Sequence, residues 1–124
     1  MYSYDRYPNN NKCYNNCPTP EPEQRHNHEF LGSTKFAEEC DDRHNHRFAC
    51  ISSEAIGPEA SHVHKIKVNT DFFGHFHEIC IITGPPIPVG CGKHVHLAVG
   101  KTTCEDGHFH CFIFTTLIEA PALP

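Results

Sequence analysis

Every histidine in the chain belongs to a His-x-His pair: His26/His28, His44/His46, His62/His64, His75/His77, His94/His96 and His108/His110. Twelve histidines scattered at random over 124 residues would give about one or two such pairs, so six pairs with no histidine left over is a pattern in need of a cause. On a strand, residues i and i+2 point to the same face about 6.5–7 Å apart, so both imidazoles of a pair can reach one ion. Two such strands side by side would offer four imidazoles. Neutral imidazole suits zinc, copper or nickel rather than calcium or magnesium. All twelve histidines are therefore candidate ligands of a divalent transition metal (Zn, Cu or Ni). The competing use of the same residues is a metal-free ladder, in which imidazoles bond to one another and to the backbone. Buried nitrogens left without partners would cost about 1–3 kcal/mol each, so one of the two arrangements is required.

The elements that must carry these pairs read as short β-prone runs separated by turn residues. Asp41-Asp42, Asp71–Gly74 and Glu105–Gly107 each precede a pair where a hairpin loop is expected. Helical periodicity is absent, apart from a turn's worth near Thr34–Glu39. The segment HVHKIKVNTDFFGHFHEICIITGPPIP from His62 repeats as HVHLAVGKTTCEDGHFHCFIFTTLIEAP from His94, and HNHEF with HNHRF forms a third, diverged copy. The fold class expected is all-β: repeated β-hairpins forming a sandwich or barrel, with a flexible N-terminal arm. Continuing each strand at histidine parity gives His44, His46, Phe48, Cys50; His62, His64, Ile66, Val68; His75, His77, Ile79, Ile81; and His108, His110, Phe112, Phe114. The histidine face thus runs into apolar core, and the imidazoles line one end of a buried face or a subunit interface.

Residues 1–25 form a Tyr/Asn/Pro-rich polar arm, and residues 26–124 form the His-x-His domain. The arm carries Cys13 and Cys17, candidates for intermolecular cross-links. Eight cysteines are many for a chain with no signal peptide and no membrane span, since the cytosol keeps thiols reduced. Synthesis in the cytoplasm, with a later extracellular or spore-surface location, reconciles the two. The net charge of −5 offers no basic patch to nucleic acid or a membrane surface. Protonating all twelve histidines would move it to −5 + 12 = +7, placing a reversal of surface charge near pH ~6.5. Catalysis is not expected: Glu29 and Glu78 each follow a pair but face away from it, and no phosphate loop or nucleophile arrangement is present.

Residues 26 to about 121 resemble the YmaF family of small His-rich bacterial proteins. The resemblance is carried by HEFLGSTKFAEEC, HNHRFACISSEAI, HVHKIKVNTDFFGHFHEIC, TGPPIPVGCGKHVH, DGHFH and TLIEAP. It implies a spore-forming bacterial source, with the His-x-His set as the recurring feature. Residues 1–25 lie outside it, and Cys50, Cys91, Cys104 and Cys111 look like additions to it. Together these readings predict a non-enzymatic metal-binding β-protein that self-associates through histidine-lined faces, its partner being itself. The alternative is a structural subunit of a disulfide-cross-linked fibre or coat, with the cysteine arm reaching a neighbour.

Overall fold

A computed structural model describes residues 26–39 and 42–121. The arm at 1–25, with Cys13 and Cys17, lies outside the described residues. Among the described residues eight strands follow in order: β1 (Asn27–Ser33), β2 (Arg47–Ile51), β3 (Lys65–Asn69), β4 (Glu78–Ile82), β5 (Pro86–Gly90), β6 (Lys93–Lys101), β7 (Cys111–Thr115) and β8 (Glu119–Ala120). They form three small antiparallel sheets, β2-β1-β8, β3-β4 and β5-β6-β7, so the all-β expectation holds. The helical turn expected near Thr34–Glu39 is absent; Ala37 instead bridges back to His44.

Three hairpins, β1–β2, β3–β4 and β6–β7, make the walls of a closed ring. β2 packs beside β3, β4 beside β6 and β7 beside β1. Backbone bonds such as Ser53 N–H to the Lys65 carbonyl, Thr103 N–H to the Glu78 carbonyl and Leu117 N–H to the Glu29 carbonyl tie the walls together at their corners. Of the expected architectures this is a three-walled barrel, not a sandwich.

The barrel is filled by the inward column of each strand: Phe30, Phe48, Ile66, Ile79 and Phe112, with Val68, Ile81 and Phe114 packed against them. Side chains paired across a hairpin share the available volume. Gly32 faces Phe48 and Gly100 faces Phe112, whereas the equivalent pair in the middle hairpin is Val68 with Ile79. A Cβ on Gly32 would meet the Phe48 ring at 2.9 Å, and one on Gly100 would meet the Phe112 ring at 3.1 Å. These glycines are space for a neighbour's ring, not hinges.

Candidate metal centres: two clusters of six histidines

The chain enters each strand through a His-x-His pair, and antiparallel neighbours enter from opposite ends of the barrel. Pairs on adjacent strands are therefore kept apart, which corrects the expectation of four imidazoles from two strands side by side. Alternate strands cooperate instead. His26, His28, His62, His64, His94 and His96 meet at one end, and His44, His46, His75, His77, His108 and His110 meet at the other. Within each group one nitrogen per ring lies within 4.8 Å of every other. Both clusters are completed within one chain, so a subunit interface is not needed to assemble them. Among the described residues neither includes a cysteine, and Cys50, despite its parity, is exposed.

Each cluster has the adjacency of an octahedron. In the first, ring centroids 4.4–5.2 Å apart join every histidine to all the others but one, with the rings edge to face. The opposed pairs are His26/His96, His28/His62 and His64/His94. In the second, centroids lie 4.8–5.1 Å apart and the opposed pairs are His44/His77, His46/His108 and His75/His110. The first members of the pairs form an outer triangle. Its Nε2–Nε2 edges are 3.0, 3.2 and 3.1 Å for His26, His62 and His94, and 3.3, 3.1 and 3.2 Å for His44, His75 and His108. The second members form the inner triangle against the core, and all six are fully buried.

A second set of residues, which the sequence reading overlooked, clamps the inner triangle. The backbone N–H groups of His28, His46, His64, His77, His96 and His110 donate to the hydroxyls of Ser52, Thr34, Thr83, Thr70, Thr116 and Thr102 at 2.9–3.1 Å. The N–H of each of those residues returns a bond to the same histidine's carbonyl at 2.8–2.9 Å. The signal was present in the sequence: each hydroxyl residue stands six positions after the second histidine of its own strand, giving His-x-His-x5-Ser/Thr six times over. Six residues keep inward parity and carry the hydroxyl about 20 Å along the strand, to the opposite cluster.

The Nδ1 atoms fix the tautomers. Those of His28, His46, His64, His77, His96 and His110 lie 2.8–3.0 Å from the carbonyls of Leu117, Asp71, Ser53, Thr103, Gly84 and Lys35. A carbonyl only accepts, so Nδ1 carries the proton and Nε2 presents a lone pair. His62 and His44 do the same to the Glu59 and Asp42 carbonyls at 2.8 Å. His94 faces a Glu119 oxygen at 3.3 Å, His75 faces Asp106 at 3.5 Å and His108 faces Glu38 at 3.5 Å, all acceptors. For every ring but His26, whose Nδ1 partner is not among these contacts, the Nε2 lone pair consequently points toward the centre of its cluster. Four of these atoms, Nε2 of His28, His64, His77 and His110, are buried with no hydrogen-bond partner.

Electrostatics agree with this geometry. Burial first, then neighbouring imidazoles, push His28 down to about 4, His64 to about 3 and His110 to about 4, against the opposing pull of their carbonyl partners. His75, His77, His94 and His96 are lowered as well, again chiefly by burial. At neutral pH these rings are uncharged and competent to ligate. The charge reversal expected near pH 6.5 is corrected accordingly, since all seven of these histidines are harder to protonate than a free imidazole and three of them hold out to about pH 4 or 3. Glu119 is disfavoured as an anion by burial, yet the His94 N–H and the neighbouring His94 and Lys93 hold it below the usual carboxylate range.

The YmaF family model, described as spore germination protein GerY/YamF, matches residues 23–118. The chain belongs to the YmaF family. No curated protein and no solved structure matches it. The YmaF match takes in all twelve histidines and all six hydroxyl clamps, while Glu119 falls just outside. Among the described residues of this YmaF chain no helix is long and apolar enough to cross a membrane.

Proposed function

We propose that this protein holds two divalent transition-metal ions, one in each six-histidine cluster, and that it does so without catalysing a reaction. The observation that carries this is the convergence of lone pairs. With Nδ1 protonated, the Nε2 atoms of rings other than His26, 3.1–3.3 Å apart, have no hydrogen to share, so the metal-free ladder lacks most of the bonds it requires. A cation at the centre turns that mutual repulsion into coordination. Six imidazoles fill the coordination sphere of such an ion and leave no position for substrate or water, which a catalytic metal requires.

The test is elemental analysis of untagged protein after dialysis against a weak chelator. Two equivalents of transition metal per chain are expected, and folded protein that retains none would defeat the reading.

A second reading concerns assembly. Cys50, Cys80, Cys91, Cys104 and Cys111 are free and exposed. The outer wall of β6–β7 also exposes Val99 beside Ile113, 59% and 54% accessible. Thiols on an apolar exterior favour a self-associating subunit linked through disulfides, which suits the spore setting named in the family description. Polymer on non-reducing electrophoresis of native material is the expected result; monomer alone would rule this out.

A further inference from the structure

Divalent transition metals differ in the number and arrangement of ligands they favour, and a cage of six imidazoles bears directly on that difference. We propose that each cage takes divalent ions that favour six regular ligands, such as Ni²⁺, Co²⁺ or Fe²⁺, and discriminates against Zn²⁺ and Cu²⁺. The inference rests on the metal-binding reading but can fail separately from it.

The cage has the dimensions of such a site. Octahedron edges of 3.0–3.3 Å, divided by √2, place the vertices they join about 2.1–2.3 Å from the centre, at or slightly beyond a metal–imidazole bond length. Opposed vertices would then be about 4.2–4.7 Å apart, inside the 4.8 Å observed for all pairs. The measured edges lie both within the outer triangle and between triangles, as in His62–His96 at 3.2 Å and His46–His75 at 3.3 Å. An ion is admitted with at most a slight contraction of these edges.

The cage also resists rearrangement. Zinc in protein sites settles with four tetrahedral ligands, and copper(II) with a tetragonal set. Either would require imidazoles to withdraw. The inner three of each cage are held by carbonyls through Nδ1, by hydroxyls through the backbone N–H, and by core packing with no exposed surface. A ring that withdrew would leave its lone pair buried and unmatched beside the others. Raw affinity rises along the divalent series to copper, so a preference for the six-coordinate ions has to come from imposed geometry, and this cage imposes it.

The test uses the full-length protein with the metals alone. Exchange against Co²⁺ should give two equivalents per chain with the weak absorption bands of six-coordinate cobalt; intense tetrahedral bands would overturn the inference while leaving metal binding intact. In chelator-buffered mixtures of equal free Ni²⁺ and Zn²⁺, approached from either loaded form, bound Ni²⁺ should exceed bound Zn²⁺ by about tenfold or more. Equal or zinc-favouring occupancy would also overturn it. Failure to retain any of the three ions would defeat the metal-binding reading itself, and the selectivity with it.

Discussion

The two cages are built by one rule and finished by two. Their inner triangles are interchangeable: each inner histidine is gripped by a hydroxyl and a carbonyl from a strand exit, with nearly equal distances at both ends. Their outer triangles differ. His94 of the first cage leans on Glu119, only 15% exposed and itself bonded by the His94 N–H. His75 and His108 of the second rely on Asp106 and Glu38, which are 69% and 36% exposed, and on weaker contacts of 3.4–3.5 Å. Backbone geometry fixes the inner layer wherever the hairpin recurs, whereas loops supply the outer layer and each loop is its own solution.

This contrast can be broken most directly at the inner layer. His64→Ala should abolish one equivalent of metal, leave the second cage loaded, and cost about 2–5 kcal/mol in stability through the void at a fully buried site. Elemental analysis and denaturant unfolding would check both; loss of both ions from a folded variant would show that the cages are not independent. Truncating the space between the cages comes next. Gly100→Val should cost about 1–3 kcal/mol by driving a branched side chain into the Phe112 ring, while Val68→Gly at the equivalent position leaves a void instead.

The clamps sharpen the comparison more finely. Thr83→Val, which strands the His64 N–H, and Thr102→Val, which strands that of His110, should each cost about 1–2 kcal/mol, and by similar amounts because the inner layers match. At the outer layer the ends should part company. Glu119→Gln is expected to weaken the first cage by about tenfold, and Asp106→Asn to weaken the second by only a few-fold, because solvent already shares the work of that exposed carboxylate. Chelator competition on the two variants measures this; equal losses would erase the distinction.

Acid tests both cages together. In chelator-treated protein the folded values of His28, His64 and His110, about 4, 3 and 4, lie below the ordinary histidine value of 6.5. Between those limits the unfolded chain binds protons that the folded chain refuses. The stability contributed by these groups is complete above pH 6.5 and is lost as the pH falls toward 4 and then 3. The thermal midpoint should decline through that window. A midpoint that stays level from about pH 7 to about pH 5 would contradict the burial of the imidazoles.

Much of this was legible from residue spacing. His-x-His followed by apolar residues at the same parity marks a strand whose histidines point inward, and all six inner histidines do. The six-residue step from His28 to Thr34, or from His110 to Thr116, was equally visible, but a threonine at a strand end reads as ordinary β composition until its partner is known. Glu119 was beyond reach, because it stands 25 residues from His94 and meets it only through the fold.

By itself, then, the sequence determined the inventory and its orientation: six pairs, six strands, one inward face, set by the period of two that any strand imposes. The tertiary structure decided how the twelve imidazoles divide. Antiparallel pairing sends neighbours to opposite ends, closure of three hairpins brings alternate strands together, and only then do carbonyls far along the chain fix which nitrogen of each inner ring faces the centre. Spacing along one strand can place two ligands, but the convergence of six is a property of the closed barrel.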